Sequence, residues 1–206
     1  MGGDPFIFYE EDREPFDISG SLVSGVVGFA NPFTNDFYKS RSFYQLPISL
    51  TDENELNQIT GSSNDDLLQG AGSLDVIKGG SGNDYLKAKD NNYILIGGSG
   101  NDSQYGGKNN DELIGGSGND TLGGGKGDDI LTGGSNADTF KISKGNDVIR
   151  DFSIAQNDRI DANGYSLEFT QDGSSLLISA ADNDVLTTVL NLNRDDLLAW
   201  QPELVS

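Results

Sequence analysis

Gly79-Gly80-Ser81-Gly82-Asn83-Asp84-Tyr85-Leu86-Lys87 reads Gly-Gly-x-Gly-x-Asp-x-apolar-x, and the same nine-residue pattern returns at Gly97–Tyr105, Gly115–Gly123 and Gly124–Thr132. Outward from these copies, residues 61–150 divide into ten consecutive blocks with no insertion or deletion. Glycines at the first, second and fourth places permit positive φ and let carbonyls approach a shared centre. The first six residues of a block therefore suit a turn. The last three, such as Tyr85-Leu86-Lys87, suit a short strand whose eighth position points inward. Leu68, Ile77, Leu86, Leu95, Leu113, Leu122, Leu131, Phe140 and Ile149 hold that position and predict a thin core, with Gln104 as the one polar exception.

A coil of turn-strand-turn-strand takes two blocks, so one circuit is 18 residues. Blocks two apart then stack as parallel strands about 4.8 Å from one another. That arrangement places the sixth residues in two columns. Asp66, Asp84, Asp102, Asp120 and Asp138 form the first; Asp75, Tyr93, Asp111, Asp129 and Asp147 form the second. Carboxylates stacked about 5 Å apart repel unless a positive charge lies between them. Calcium suits such a gap, because it takes six to eight oxygens and tolerates mixed carboxylate and carbonyl ligands, whereas magnesium demands stricter octahedral geometry. Neighbouring pairs predict about six sites: 66/84, 84/102, 102/120 and 120/138 on one side, 111/129 and 129/147 on the other. Tyr93 interrupts the second column, and its block, Ala88 to Ile96, lacks all three glycines.

The bulk properties agree with a cation-dependent fold. The chain has 206 residues, 34% of them hydrophobic, 28 glycines and a net charge of −20. Such a composition favours an open chain unless something neutralises the carboxylates. Residues 1–60, 61–150 and 151–206 carry nets of −7, −5 and −8, so nucleic acid and anionic membrane would be repelled by every segment. The absence of Cys and His excludes thiolate metal sites, cysteine nucleophiles and histidine triads. No run approaches the roughly 20 apolar residues of a transmembrane helix. Met1-Gly2-Gly3-Asp4 opens without the basic and apolar regions of a secretory signal.

The repeat resembles the calcium-binding nonapeptide of the RTX (repeats-in-toxin) family. The resemblance implies an all-β fold: a parallel β-roll, a right-handed β-helix-like solenoid with N-terminal and C-terminal capping segments. It also implies that the sixth-position Asp residues and the turn carbonyls are the ligands. On the first side those turns are Gly79, Gly80, Ser81 and Gly82; Gly97, Gly98, Ser99 and Gly100; Gly115, Gly116, Ser117 and Gly118; and Gly133, Gly134, Ser135 and Asn136. On the second they are Gly106, Gly107, Lys108 and Asn109, then Gly124, Gly125, Lys126 and Gly127. Blocks 61–69 and 142–150 depart at the glycines, with Ser62, Asn64, Ile142 and Ser143.

The flanks divide the chain into three. Residues 1–60 hold seven of the ten Phe and read as an aromatic-rich cap or small module. Residues 151–206 read as a C-terminal β cap. Asp147-Val148-Ile149-Arg150-Asp151-Phe152 running into Asp158-Arg159-Ile160-Asp161 is similar to the closing segment of RTX rolls, which adds Asp151 to the candidate ligands. A hairpin is predicted about Asp172-Gly173, a strand over 185–192 and a short helix or turn over 194–200. The terminal Glu203-Leu204-Val205-Ser206 is similar to uncleaved type I secretion signals.

By resemblance the chain is a calcium-binding module of a secreted bacterial protein. It is unfolded in low calcium and folded outside the cell, with the type I secretion machinery as partner. No catalytic constellation is visible, and a catalytic domain would have to lie upstream. Asp4-Pro5 resembles the self-cleaving bond of some RTX proteins. A second reading is a surface-binding module: Ser81/Asn83, Ser99/Asn101, Ser117/Asn119 and Ser135 line one side, as in ice-binding adhesins, and Lys108, Lys126 and Lys144 line the other, facing an acidic polysaccharide or cell surface.

Overall fold

The computed structural model describes residues 57–70, 75–180 and 184–205. The aromatic-rich segment before Asn57, the Asp4-Pro5 bond and the side chain of Asp75 lie outside the described residues.

Strands alternate between two sheets. In chain order they are β1 (Asn57–Thr60), β2 (Leu67–Gln69), β3 (Asp75–Ser81), β4 (Tyr85–Lys87), β5 (Ile94–Ser99) and β6 (Ser103–Lys108). There follow β7 (Glu112–Ser117), β8 (Thr121–Lys126), β9 (Ile130–Ser135), β10 (Thr139–Lys141), β11 (Gly145–Ile149) and β12 (Arg159–Asp161). One sheet runs β1-β3-β5-β7-β9-β11 and the other β12-β10-β8-β6-β4-β2, all parallel. The repeat sets the register: Ile77 pairs with Leu95, Leu95 with Leu113, and Leu86 with Gln104, each 18 residues on. The chain is thus a parallel β-roll with two blocks per circuit.

The strands of the central circuits are longer than the three residues expected. β5, β7 and β9 continue through the first three residues of the next block, pairing Gly80 with Gly98 and Ser81 with Ser99. Because consecutive circuits superpose, the turn backbone extends the ladder instead of leaving it. Gly100 shows what this stacking demands. Its φ is 121°, and a Cβ there would collide with the carbonyl of Gly82 one circuit below. Where Asn109 and Asn136 take this fourth position, they too have positive φ, 65° and 81°, a conformation Asn tolerates better than most residues.

All ten eighth-position residues are buried, and together they form the wall between the sheets. Gln104 sits among them; its Nε2 donates to the Ile114 carbonyl at 2.7 Å, while its Oε1 finds no partner. The C-terminal segment closes the roll. β13 (Leu167–Asp172), β14 (Ser175–Ala180) and β15 (Val185–Val189) extend the first sheet, with β15 parallel to β11 and the β13–β14 hairpin antiparallel beside it. The hairpin turns at Gly173, φ 59°. The one α-helix among the described residues, α1 (Arg194–Trp200), is capped by Asn193, whose side chain accepts from Asp195 N at 2.8 Å. Glu203 pairs with Arg159 and Leu204 is buried, so this much of the terminal tetrad is packed into the cap; Ser206 lies outside the described residues. Among the described residues no helix is long and apolar enough to cross a membrane.

Candidate metal centres

Stacking in register gives each sixth-position carboxylate a fixed task. One oxygen, Oδ1, accepts the backbone N–H of the residue one circuit earlier. On the first side Asp66 N reaches Asp84 at 2.9 Å, Asp84 N reaches Asp102 at 2.8 Å, Asp102 N reaches Asp120 at 2.7 Å and Asp120 N reaches Asp138 at 2.9 Å. On the second, Tyr93 N and Asp111 N reach Asp111 and Asp129 at 2.8 Å, and Asp129 N reaches Asp147 at 3.0 Å. These bonds orient the carboxylates and leave their second oxygens facing the turns.

Six of those second oxygens have no partner although they are buried: Oδ2 of Asp84, Asp102, Asp120 and Asp138 on the first side, and of Asp111 and Asp129 on the second. Buried polar atoms are normally satisfied, so each marks a place where a ligand belongs. The first glycine of the block makes room for it. A Cβ on Gly79, Gly97, Gly106 or Gly115 would collide with the Oδ2 of its own turn and stand 2.5–2.6 Å from the carbonyl of Gly97, Gly115, Gly124 or Gly133 in the next circuit. A carboxylate oxygen and a carbonyl oxygen therefore face one small volume between successive turns.

Where serine replaces the second glycine, the free oxygen disappears. Ile142 takes the first position before Asp147, and Asp147 Oδ2 accepts the Ser143 hydroxyl at 2.7 Å. Asp66 Oδ2 accepts both the N–H and the hydroxyl of Ser62, at 2.6 and 3.0 Å. Ala88 precedes Tyr93, whose buried ring fills its turn against Gly70.

The other turn residues serve the stacking. Carbonyls of Gly80, Gly98 and Gly116 leave no room for a Cβ on the second-position glycine in the following circuit, as do those of Gly82 and Gly100 at the fourth position. Carbonyls of Ser99, Ser117 and Ser135 accept N–H bonds from Gly82, Gly100 and Gly118 at 2.8–3.1 Å. Among the described residues no three acidic side chains gather closely enough to hold an ion by themselves. The donor set is two carboxylates plus backbone carbonyls, all hard oxygens, which fits calcium and offers a soft metal nothing.

Electrostatics points the same way. Desolvation raises Asp84, Asp120 and Asp129 to about 6 and Asp111, Asp138 and Asp147 to about 7, against the backbone N–H bonds that lower them. Neighbouring carboxylates add to the rise, and Asp102 and Asp158 shift upward for the same primary reason. Bare anions are disfavoured in these turns, and a divalent cation removes the conflict.

Asp158 was not among the residues picked out by the period. It is buried, and its Oδ1 accepts Asp138 N at 2.9 Å, extending the first column. The step is 20 residues rather than 18, because β10 pairs Thr139 with Arg159. A fixed nine-residue frame skips it. Asp151 lies at the proper 18-residue step from Gly133 and accepts from Gly133 N and Gly134 N at 2.9 and 2.8 Å.

The surface rows are less free than their sequence implies. Asn83 and Asn101 accept the backbone N–H of Asn101 and Asn119 at 2.8 and 2.7 Å, forming an amide ladder up the first side. Lys108 pairs with Asp90 at 3.0 Å and Lys144 with Asp184 at 3.1 Å, so two of the three lysines are locally neutralised.

The RTX calcium-binding nonapeptide repeat model matches four overlapping stretches, residues 60–95, 94–122, 105–140 and 114–149. Residues 60–149 are thus an array of RTX calcium-binding repeats. No curated protein sequence matches the chain. Among solved structures, the extracellular lipase LipA from Serratia marcescens is similar at 19% identity and a TM-score of 0.30. The alignment covers 69% of this chain and 39% of that one, so the chain matches about two fifths of the lipase's length.

Proposed function

We propose that this chain is a calcium-folded module of a secreted protein, itself non-catalytic, whose roll forms when calcium enters the gaps between successive turns. The observation that carries the proposal is the set of buried, unpartnered carboxylate oxygens, each beside a first-position glycine. Calcium would sit between turns 79/97, 97/115 and 115/133 on the first side and 106/124 and 124/142 on the second, held by the two sixth-position carboxylates and turn carbonyls. Bound there, calcium would supply positive charge and coordination; the protein supplies a stacked frame whose carboxylate and carbonyl oxygens face the gap between two turns.

The consequence is a linkage between folding and calcium. An ion that binds only the folded roll stabilises it by about 2.7 kcal/mol per site at a hundredfold excess over its Kd. Several such sites offset the self-repulsion of a chain with net charge −20. In low calcium the chain stays open and fits a secretion channel; outside the cell it folds and cannot slide back. The secretory and extracellular setting rests on the family resemblance. A calcium titration followed by far-UV circular dichroism, with magnesium as control, tests the reading. A cooperative gain of β signal with calcium and little with magnesium is expected; no gain with calcium overturns it.

A further inference from the structure

Three of the four exposed large hydrophobic side chains among the described residues, Leu67, Tyr85 and Tyr105, stand on one surface: the outer face of the sheet β12-β10-β8-β6-β4-β2. One exposed apolar residue is ordinary on a protein surface, but a group of them on one face marks a place of contact. Seventh and ninth residues point outward here because the eighth is buried. The ninth-position row runs in register through Gln69, Lys87, Tyr105, Gly123 and Lys141, and the seventh-position row through Leu67, Tyr85, Ser103, Thr121 and Thr139. Neither row contains an acid, although the chain carries 33 acidic residues against 13 basic ones. The first acid is Asp161 on β12, which pairs with Lys141 at 3.5 Å.

The face is organised about Tyr105. Lys87 Nζ stands 5.9 Å from the centre of its ring, within cation–π range, and no ion pair among the described residues engages Lys87. On the other side lies Gly123. Among the described glycines it alone has neither a positive φ nor a neighbour that a Cβ would strike, so the stacking of turns does not demand it. It is buried nonetheless, because the Tyr105 ring and the Lys141 stem lie over it, each 3.7 Å from where its Cβ would stand. A long side chain at 123 would compete with the ring for that space. Tyr85 is one strand away and two residues offset, which puts the two tyrosines about 8 Å apart along the diagonal.

These features define a ligand. A peptide held by its side chains needs pockets to receive them, and a sheet face offers none. A sugar ring needs only a flat support: its C–H face lies on an exposed aromatic ring while its hydroxyls reach polar groups at the rim. Lys87 and Lys141 add positive charge, so a polyanion repelled by the rest of a chain of net charge −20 is accepted where the acids are missing. We propose that the outer face of this sheet, centred on Tyr85, Lys87 and Tyr105, binds a polysaccharide whose sugars carry carboxylate or sulfate groups. Sugar rings stack on Tyr105 and Tyr85, and the anionic groups meet Lys87 and Lys141. The face requires a folded roll and no contact with a bound ion, so its failure and that of the calcium reading are separate results.

The test is isothermal calorimetry on the full chain in calcium, with far-UV circular dichroism confirming the fold of each sample. The ligands are a short oligogalacturonate, a sulfated oligosaccharide and an uncharged glucan oligosaccharide, the first kept short so that calcium does not gel it. Binding is expected from the carboxylate or the sulfate ligand, whichever charge the face prefers, weakening as salt is raised, and none from the glucan. Tyr105→Ala and Lys87→Ala are each expected to weaken binding about tenfold with the β signal unchanged. Nitration by tetranitromethane gives a second measurement that needs no variant. Tyr85 and Tyr105 should react in the folded chain, buried Tyr93 should not, and the bound oligosaccharide should protect the first two. A folded chain that binds neither anionic ligand, or binds one equally well in both variants, overturns the proposal. So does resistance of Tyr85 and Tyr105 to nitration without ligand, which would mean that another part of the chain or a second copy covers the face.

Discussion

The ring of Tyr93 lies against Gly70 in the preceding circuit, so closely that a Cβ on Gly70 would stand 2.9 Å from the ring carbon Cζ. In the second column this ring takes the place that a carboxylate holds elsewhere, and Ala88 takes the place of the first glycine. The circuit is packed there by apolar side chains: Ala88, Tyr93 and Leu95 are all buried. Backbone stacking continues regardless, since Tyr93 N still donates to Asp111 Oδ1 at 2.8 Å.

Gly70→Ala should therefore destabilise the roll without touching its calcium. Forcing a methyl into that contact costs about 1–3 kcal/mol by overpacking. Thermal unfolding in saturating calcium should show a lower Tm, while equilibrium dialysis counts the same number of ions as the wild type. A lost ion would mean that this turn holds calcium after all.

The free oxygens rank the aspartates. Asp102→Asn keeps an oxygen for the Asp84 N–H but removes the carboxylate facing the 97/115 gap, and should cost one bound ion and move the folding midpoint several-fold to higher calcium, about 1 kcal/mol. Asp66→Asn should move it far less, because Asp66 Oδ2 is already occupied by Ser62. Equal shifts for the two variants would count against the ranking.

Protons and calcium should compete for the same turns. Carboxyls held at about 6 to 7 in the roll, against an ordinary 3.8, bind more protons folded than unfolded. Their contribution to stability is fully present below 3.8 and disappears as pH rises through 6 to 7. Calcium-free chain should therefore gain β signal on acidification from neutral pH, and the calcium midpoint should rise as pH falls through the same window. Dichroism at a series of pH values with and without chelator reads both effects; a calcium midpoint independent of pH would contradict them.

Gln104 is the flaw in the core column. Its Oε1 is buried without a partner, between Leu86 and Leu122 in the neighbouring circuits. An unsatisfied buried acceptor costs about 1–3 kcal/mol, part of which the bond to Ile114 recovers. Gln104→Leu should stabilise the roll by about 1 kcal/mol, seen as a higher Tm at fixed calcium. A lower Tm would show that the amide bond outweighs the lone acceptor.

Much of this was legible in the residues. A strict period of nine, with glycine, Asp and an apolar residue at set places, leaves one way to bury the apolar positions and stack the turns. The two columns, the interruption at Tyr93 and the odd Gln104 all follow from counting. Counting fails where the period does. Asp158 stands two residues off the frame, so only the pairing of β10 with β12 brings it beneath Asp138.

The local sequence determined the roll because turn geometry and burial repeat every nine residues and need no distant information. The tertiary structure decided which carboxylates remain free. The blocks of Asp66 and Asp147 depart at the glycines in sequence, but only the structure shows that Ser62 and Ser143 satisfy these two carboxylates, while Asp84, Asp102, Asp111, Asp120, Asp129 and Asp138 keep a bare oxygen. That distinction depends on where a hydroxyl and an N–H lie in three dimensions. Short-range hydrogen bonds and desolvation set the charge a turn can hold, and neither is written in the period.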